Sequence, residues 1–292
     1  MFFNKIQKRD INKIRSLVER EVAKRQYQAD AMSLKNITQE ESIVKGELVL
    51  SLTTYSKRIH DVYLVLESIA QQTVLPNRVV LWLAEDEFDL DDLPVSIKSR
   101  ISFGLEVRFC EDIKSYKKII PAIGNFPESV IITLDDDVLY PRDTIEILLK
   151  NHKKNPNAII GNRAHEITYR KGKIRPYRKW KKETKNNNEN IFLTGCGAIL
   201  YPSGSLHKDV IKKEIFTNIC PYADDVWLFF MAKMNGTEII NAQGRDFRDF
   251  IEISNNYSVG LNKLNVDRGY NDKQIANVIS YYGLSAEGGF GV

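Results

Sequence analysis

Short apolar runs separated by helix-like segments dominate the chain between residues 48 and 134. These runs are continuous rather than alternating, which is typical of strands buried on both faces of a parallel sheet. They are Leu48–Leu52, Arg78–Ala84, Leu105–Phe109 and Val130–Leu134, with helical periodicity over Tyr63–Ala70 and Lys117–Ile123. The order β-α-β-β-α-β predicts an α/β fold with a doubly wound sheet, in which ligands bind beyond the carboxyl ends of the strands.

The pattern after residue 140 is weaker. We predict helices over Asp143–Asn151 and Val226–Met234, strands over Ala158–Ile160 and Ile199–Tyr201, and a polar loop over residues 166–190. These runs are shorter, so fewer of their residues match a helix or strand period than in the first four strands. The tail after Gly244 is polar and aromatic.

Residues 1–45 differ from the rest of the chain. Ile11, Ile14, Val18 and Val22 recur at helical spacing among charged residues, which predicts an amphipathic helix. Residues 1–30 contain eight Lys and Arg residues against four Asp and Glu residues. The helix is expected either to pack on the body or on a partner subunit of a homo-oligomer, or to contact an anionic membrane surface peripherally.

Composition narrows the class of protein without naming a function. The chain has 292 residues, 43% of them hydrophobic and 27% charged, which is ordinary for a globular protein and excludes fibrous and disordered classes. The net charge of +4 is too small to indicate nucleic-acid binding across the surface, so no nucleic-acid partner is expected. Cys110, Cys196 and Cys220 lack the spacing of a zinc or redox site. We expect a cytoplasmic protein, at the inner face of the membrane if the first helix contacts lipid.

Three adjacent carboxylates, Asp135, Asp136 and Asp137, follow the fourth apolar run. In extended chain Asp135 and Asp137 point the same way and Asp136 points opposite. Two carboxylates aimed together repel each other unless a cation lies between them, and a hard divalent ion prefers oxygen ligands. The triplet therefore predicts a metal site able to hold a diphosphate, with a solvated acidic turn as the alternative.

A second acidic pair, Asp224 and Asp225, begins the apolar helix predicted after residue 225. Aspartate is a favoured N-cap and suits the positive end of a helix, so capping alone can account for it. The functional alternative is a general base that accepts a proton from an attacking hydroxyl group. The chain has no G-x-x-x-x-G-K-[ST] or G-x-S-x-G motif that would favour another phosphate or hydrolase chemistry.

Four segments together resemble the glycosyltransferases of the GT-A fold, and are most similar to bacterial family-two-like enzymes that build surface polysaccharides. They are Leu48–Tyr55 with Arg58, the Asp triplet, Thr194–Pro202 and Ala223–Leu228. The resemblance covers roughly residues 47–240. It implies a Rossmann-like, mostly parallel sheet flanked by helices, with an N-terminal helical extension over 1–45, a GT-A catalytic domain over 46–245 and a C-terminal extension over 246–292 that packs on it.

The resemblance also implies roles for individual residues. Thr53, Tyr55 and Arg58 match the nucleotide pocket, Asp135 and Asp137 the DxD element that contacts metal and donor, and Asp225 the catalytic base, with Asp224 as the alternative. Asp136 is expected to contact the nucleotide sugar, and Glu85 or Asp86 occupies the position of an acidic residue that binds the base. Lys114, Lys117 or Lys118 is a candidate second clamp on the leaving diphosphate.

A basic segment, residues 170–182, holds eight Lys and Arg residues together with Tyr177 and Trp180. Long loops in compact domains are usually functional, and aromatic rings offer sugar faces a stacking surface. We expect a mobile lid here, with a merely solvated basic loop as the alternative. Arg163 and His165, which follow a predicted strand, are further candidate contacts to the acceptor.

These features predict a metal-dependent, inverting glycosyltransferase in bacterial surface polysaccharide synthesis. The expected cofactor is Mn²⁺ or Mg²⁺, the expected donor a UDP-sugar, and the acceptor a glycan or a lipid-linked molecule. One alternative is another metal-dependent phosphate enzyme, a nucleotidyltransferase or phosphohydrolase. A second is a non-catalytic protein that binds glycans or nucleic acid through the basic segment.

Overall fold

The computed structural model describes residues 2–244, 246–253, 265 and 269–284. Its helices are α1 (Phe2–Asp30), α2 (Val62–Ala70), α3 (Val95–Ile101), α4 (Ile120–Asn125), α5 (Thr144–Lys154), α6 (Lys213–Ile219), α7 (Asp224–Met234) and α8 (Tyr270–Tyr282). Its strands are β1 (Leu48–Thr53), β2 (Arg78–Ala84), β3 (Leu105–Cys110), β4 (Val130–Leu134), β5 (Val138–Leu139), β6 (Ile159–Gly161), β7 (Ala164–Glu166), β8 (Tyr169–Arg170), β9 (Lys173–Ile174), β10 (Ile191–Leu193), β11 (Ile199–Tyr201), β12 (Ile239–Asn241) and β13 (Ile251–Glu252).

A seven-stranded sheet in the order β12-β6-β11-β4-β1-β2-β3 organises the molecule. Strand β11 runs antiparallel to both of its neighbours, and the other pairings are parallel. Helices cover both faces, as parallel strands require because each crossover connection lies on a face of the sheet. The predicted fold class, a mostly parallel α/β sheet flanked by helices with an N-terminal helical extension, is confirmed.

The apolar strands supply two cores, one on each face of the sheet. In β1, Leu48, Leu50 and Leu52 belong to one core, while Val49 belongs to the other. This division follows from the alternation of side chains along a strand. Each fully buried aliphatic side chain contributes about 1.5–3 kcal/mol, so the central strands hold a rigid platform for the residues at their carboxyl ends.

The predicted order of elements was wrong at one point in the first half. Helix α3 lies between β2 and β3, so the order is β-α-β-α-β rather than β-α-β-β. This helix has seven residues, and only Ile97 and Arg100 in it are buried. Two buried positions are too few to produce the recurring apolar pattern by which a longer amphipathic helix is recognised.

The predicted polar loop over residues 166–190 was also wrong in part. Strand β10 pairs with β7, and β8 pairs with β9 in a two-stranded hairpin. Isolated hairpins are marginally stable, and here Tyr177 and Trp180 anchor the segment by packing in the core. Sequence pattern missed these strands because each has two or three residues.

Helix α1 packs on α2 through its C-terminal half, where Ala23 and Tyr27 contact the core. Ile11, Ile14, Val18 and Val22 lie 55–63% exposed, so their stripe faces away from the body. Membrane contact and oligomerisation through this stripe stay predictions. Among the described residues, no helix combines the length and the apolar character needed to cross a bilayer.

The described part of the C-terminal segment contacts the central unit in two places. Strand β13 pairs with β5, and the Ile253 N–H donates to the Asp137 carbonyl oxygen at 2.7 Å. Helix α8 packs against α6 and α7. Residues after 244 therefore support the backbone of the acidic triplet, while the domain boundaries stay a prediction.

Candidate active site

The acidic triplet lies at the carboxyl edge of the sheet, where parallel strands β1 and β4 end side by side. Leu52 and Leu134 are paired in register, so the segments that follow the two strands meet at once. The segment after β1 forms a short 3-10 helix over Ser56–His60. The paired apolar strands thus bring Thr54 and Arg58 into contact with Asp136.

Asp136 is the buried anchor of this meeting point. Its Oδ2 accepts a hydrogen bond from Thr54 Oγ1 at 2.6 Å, and its Oδ1 accepts one from Arg58 Nη1 at 2.7 Å. Arg58 Nη1 also lies 2.9 Å from Asp137 Oδ2. A charged donor shared by two carboxylates fixes the loop after β1 against the loop after β4.

The prediction that Asp135 and Asp137 point one way and Asp136 the other was wrong. Asp136 and Asp137 share Arg58, whereas Asp135 contacts a different cation, so the outer two aspartates do not form a pair set against the middle one. The physical reason is that β4 ends at Leu134 and the chain turns at residues 136 and 137. The two-residue period applies only to extended chain.

Lys118 joins the triplet to the second acidic pair. Its Nζ lies 2.8 Å from Asp135 Oδ1 and 3.0 Å from Asp224 Oδ2, and the side chain is buried. A short helix over Lys114–Lys118 leads into α4 and directs the ammonium group inward. Burial lowers the pKa of Lys118, but the Asp135 and Asp224 carboxylates outweigh it and raise the pKa well above its usual value.

Helix capping does not account for the second pair. The N-cap of α7 is Ala223, and Asp224 and Asp225 lie in the first turn. Asp224 is 7% exposed and faces Lys118. Asp225 is partly exposed and accepts a hydrogen bond from the Gly195 N–H at 3.2 Å. Of the two, only Asp225 therefore combines a fixed orientation with access from solvent.

Gly195 lets these groups approach the backbone closely. A Cβ atom at this position would lie 2.9 Å from Lys118 Nζ, 3.2 Å from Asp225 Oδ1 and 3.5 Å from Asp135 Oδ1. Any larger residue would therefore press on the ammonium group and both carboxylates. Gly195 therefore lies between the triplet and the second acidic pair, close to one carboxylate of each.

The centre carries more negative than positive charge. Five aspartates, Asp135, Asp136, Asp137, Asp224 and Asp225, surround two cations, Arg58 and Lys118. Burial and the neighbouring Asp136 carboxylate raise the pKa of Asp137, and burial and Asp224 raise the pKa of Asp225. A site of this kind gains stability from an added cation.

The donor set contains the carboxylate oxygens that a divalent ion prefers. Among residues 2–244, 246–253, 265 and 269–284, no group of three or more His, Cys, Asp or Glu side chains is arranged to hold a metal. Mg²⁺-type sites commonly use one or two carboxylates and complete their coordination with substrate phosphates and water. Asp135 and Asp137 carry hard oxygen atoms of this type, and each already pairs with a side-chain cation, Asp135 with Lys118 and Asp137 with Arg58.

Several residues predicted for the donor site lie at its margin. Tyr55 packs its ring 5.1 Å from the Arg58 guanidinium carbon, and Lys114 Nζ lies 5.4 Å from the Tyr222 ring centroid. Thr53 Oγ1 donates to the Trp82 carbonyl oxygen at 2.8 Å and so secures the sheet. Glu85, like Asp86, is exposed just beyond β2.

The residues predicted for the acceptor or the lid are mostly engaged inside the fold. Arg163 Nη1 donates to Thr194 Oγ1 and contacts Cys196 Sγ, each at 3.0 Å. His165 is buried, and burial with the nearby Arg163 lowers its pKa to about 4. Tyr177 and Trp180 are also buried, with ring centroids 4.7 Å apart. Rings packed in this way do not offer a face to a sugar.

Sequence reasoning missed three residues that shape the site. Thr54 donates to Asp136, Gly195 lets Lys118 and Asp225 approach the backbone, and Tyr140 Oη accepts a hydrogen bond from the Asp135 N–H at 2.7 Å. The glycine lay within a segment already singled out, Thr194–Pro202, and its missing side chain was the available signal. Nothing in the local sequence distinguishes Thr54 or Tyr140.

No family model matches the chain, and no curated protein matches it. Among solved structures, the chain is similar to a mannosyltransferase from Pyrobaculum calidifontis, solved in complex with GDP-Man and Mn2+. The TM-score is 0.44 and the identity 14%, over 78% of this chain and 64% of that one. The chain thus spans less than two thirds of the length of that protein, and a likeness at this level carries no argument about substrate or mechanism.

Proposed function

We propose that the protein is a glycosyltransferase that moves a sugar from a nucleotide-sugar donor to an acceptor hydroxyl group. The observation that carries the proposal is the bridge from Asp135 through Lys118 to Asp224, with the partly exposed Asp225 next to Asp224 and bonded to the Gly195 N–H. Such a centre holds a group that binds a phosphorylated donor within reach of a group that takes a proton.

The donor side of the centre is formed by the triplet and Arg58. Asp135 and Asp137 are the residues that would hold a divalent ion, Mn²⁺ or Mg²⁺, which supplies charge neutralisation for the leaving diphosphate when bound. Arg58 is fixed by Asp136 and Asp137, so its remaining guanidinium donors are oriented before substrate arrives. In this assignment Asp136 acts by positioning Arg58 rather than by touching the donor.

Asp225 is the proposed general base. The acceptor hydroxyl group gives its proton to an Asp225 carboxylate oxygen as its own oxygen attacks the anomeric carbon of the donor sugar. The bond from that carbon to the diphosphate oxygen breaks, and the nucleoside diphosphate leaves with the electron pair. Attack opposite the leaving group inverts the configuration. The raised pKa of Asp225 makes it a stronger base than an ordinary aspartate.

The finer features of the proposal follow the resemblance described above. We assign the donor as a UDP-sugar, the acceptor as a glycan or lipid-linked molecule, and the setting as bacterial surface polysaccharide synthesis at the cytoplasmic face of the membrane. The exposed apolar stripe of α1, with the basic residues of its sequence, supports membrane proximity.

The decisive experiment incubates the protein with Mn²⁺ or Mg²⁺ and a panel of sugar nucleotides, with and without acceptor glycans. Release of nucleoside diphosphate that depends on metal is expected, and is expected to be lost in Asp137→Ala. Asp10→Asn, an exposed aspartate on α1, is the matched control and keeps full activity. Release of nucleoside monophosphate or pyrophosphate instead would assign a phosphohydrolase or nucleotidyltransferase, and no turnover of any donor would overturn the proposal.

A further inference from the structure

A cavity of about 20 Å³ lies between helix α7 and the sheet, next to the candidate centre. Seven of its nine lining residues are apolar, and the other two are Asp225 and Tyr201. Asp225 alone among the nine is not buried, so the cavity lies on the core side of that residue. A water molecule needs a cavity of roughly 10–15 Å³, so this one suits a single water and nothing as large as a sugar.

The helix and the strand turn both polar residues toward this cavity. Asp225, Leu228 and Ala232 line it at a spacing that puts them on one face of α7. Tyr201 ends β11 two residues after Ile199, so both side chains point to the same face of the sheet. That face carries the core in which α7 packs. Asp225 and Tyr201 are therefore brought to one cavity from opposite sides.

Tyr201 is a buried tyrosine whose hydroxyl group has no protein partner. The residue is 4% exposed, and none of the described residues forms a hydrogen bond with its hydroxyl group. The hydroxyl oxygen keeps some accessible surface, unlike the sealed hydroxyl oxygens of Thr133 and Tyr169. Most buried polar groups are paired with protein or with ordered water. The Tyr201 hydroxyl group is thus open to a water molecule.

The charges that act on this hydroxyl group place it near the proposed base. Burial raises the pKa of Tyr201 well above its ordinary value, and among the charged groups Asp225 adds most to that rise. Lys118, which acts in the opposite direction, Asp224 and Asp135 contribute less. The hydroxyl group therefore keeps its proton and is available as a donor toward a carboxylate.

The Asp225 carboxylate has room for a second donor. Its Oδ2 accepts a hydrogen bond from the Gly195 N–H at 3.2 Å, and the described residues offer the carboxylate no other hydrogen bond. An ionised carboxylate accepts at about four positions. A water between Tyr201 and Asp225 would accept from the hydroxyl group and donate to the carboxylate. A dry cavity would leave both groups unmatched, and cavities that stay dry are apolar throughout.

We propose that the cavity holds one water molecule that bridges the Tyr201 hydroxyl group and the Asp225 carboxylate, and that Tyr201 positions Asp225 through it. The role of the bridge in sugar transfer rests on the proposed function, while the water site does not. With the Gly195 N–H as one donor and the water as another, the carboxylate is held from two directions before the acceptor binds. Tyr201 is a positioning residue, since it acts on the reacting atoms only through Asp225.

The water site is tested by crystal structures of the full chain and of Tyr201→Phe, at a resolution that shows ordered water. We expect a water within hydrogen-bond distance of both groups in the parent protein, and its loss in Tyr201→Phe, which keeps the ring. Ala232→Val fills the cavity from α7 and is expected to exclude the water while both polar groups remain. Thermal melting checks that each variant folds. A dry cavity in the parent protein, or a water that contacts only one of the two groups, overturns the inference.

The positioning role is tested by the pH dependence of sugar transfer. Loss of the bridge removes a hydrogen bond from the charged form of Asp225, which raises its pKa. In Tyr201→Phe we expect kcat to fall about tenfold, the acid limb of the kcat profile to move up by about half a pH unit, and the KM of the donor to stay unchanged. The other charged groups that act on Asp225, namely Asp224, Lys118 and Asp135, are the same in this variant.

A double variant shows whether one water carries the effect. Ala232→Val should change kcat and the acid limb as Tyr201→Phe does, and the two substitutions together should do no more than either alone. The matched control is Tyr169→Phe, because the Tyr169 hydroxyl group also has no partner but belongs to β8, outside the cavity. This control should leave kcat and its pH profile unchanged. Additive effects, or lower stability in Tyr201→Phe with no movement of the acid limb, overturn the positioning role.

Failure of this inference and failure of the proposed function give different results. A bridging water in a protein that turns over no sugar nucleotide would overturn the enzyme and leave the water site standing. Sugar transfer with the same kcat and pH profile in Tyr201→Phe and in the parent protein would overturn the positioning role and leave the enzyme standing.

Discussion

Two buried clusters of charged side chains differ in how their charges are balanced. On one face of the sheet, Glu67 of α2 pairs with Arg100 of α3, and Arg100 Nη1 also donates to the Lys35 carbonyl oxygen at 2.6 Å. Both side chains are at most 2% exposed, and one acid meets one base. At the carboxyl edge of the sheet, five aspartates meet two cations.

The difference separates a structural ion pair from a site prepared for a ligand. Glu67 and Arg100 compensate each other, tie the segment after α1 to the body and have no access to solvent. The carboxylates of the candidate centre remain undercompensated, and burial together with the neighbouring carboxylates raises the pKa values of Asp137 and Asp225. An uncompensated charge costs stability in the empty protein, and that stability returns when a cationic or metal-bound ligand arrives.

The largest effect is expected when the balanced pair is broken. Glu67→Ala leaves Arg100 buried without its counter-charge and should lower the free energy of unfolding by about 3–5 kcal/mol, measured by urea denaturation. Replacing both partners, Glu67→Leu with Arg100→Met, should recover most of the loss. A single variant as stable as the parent protein would show that the pair is not the structural element described here.

At the candidate active site, we expect a loss of activity that corresponds to a similar free energy. Asp225→Asn keeps the acceptor for the Gly195 N–H but removes the base, and should slow sugar transfer about a thousandfold. Donor binding, followed by thermal shift with nucleotide sugar and metal, should change little. Asp224→Asn should be less severe in transfer because Asp224 acts through Lys118. The opposite ranking of the two variants would assign the base to Asp224.

His165 is a third buried titratable group, and it is held neutral rather than balanced by an opposite charge. His165 accepts a hydrogen bond from the Glu183 N–H at its Nδ1 and is held neutral, with a pKa of about 4 against 6.5 in the unfolded chain. The unfolded state therefore takes up a proton first as the pH falls. Stability contributed by neutral His165 is complete above pH 6.5 and is lost between pH 6.5 and 4, by about 3 kcal/mol.

The measurement for His165 is urea unfolding across this pH window in His165→Asn, which keeps an acceptor but does not titrate. The variant should lack the loss of stability that protonation of His165 causes as the pH falls. His60→Asn, at an exposed histidine, should keep it. If the free energy of unfolding depends on pH with the same slope in His165→Asn and in the parent protein, the ring is protonated in the fold.

The smallest effect has the opposite sign from the first. Asp137→Asn removes one carboxylate from the crowded cluster and leaves Arg58 paired with Asp136, so it should raise the free energy of unfolding by about 1 kcal/mol near pH 8 in the presence of a chelator. Added Mn²⁺ should stabilise the parent protein but not the variant. A destabilisation comparable to that of Glu67→Ala would make the triplet a structural cluster as well.

The strands nearest the centre of the sheet were predictable because their sequences are long and apolar on both faces. The predicted bounds of β2 and β4 agree with the structure, and those of β1 differ by one residue. Strand β12 has three residues and α6 has seven, and neither was identified. Elements this short take their stability from the neighbours they pack on, which the local pattern does not record.

The candidate site was predictable in its residue types and not in its contacts. Strand ends placed the triplet and Arg58 at one edge, since parallel strands finish together. The choice among Lys114, Lys117 and Lys118 required the structure, because only the helix geometry turns Lys118 to Asp135 while Lys117 pairs with Asp112. The buried packing of Tyr177 and Trp180 likewise depends on Phe192, which lies outside the basic segment.

The single reversed strand, β11, has a consequence for how the molecule can diversify. Because β11 runs against β6, with Ile199 beside Gly161, the chain leaves the sheet and returns to it at the same rim. The excursion over residues 162–198 therefore has its two ends fixed together, and between them it carries both core side chains, Tyr177 and Trp180, and the exposed basic residues of the segment 170–182. Changes at the exposed positions of this excursion alter the surface at the rim of the sheet and leave β4, which leads into the acidic triplet, undisturbed.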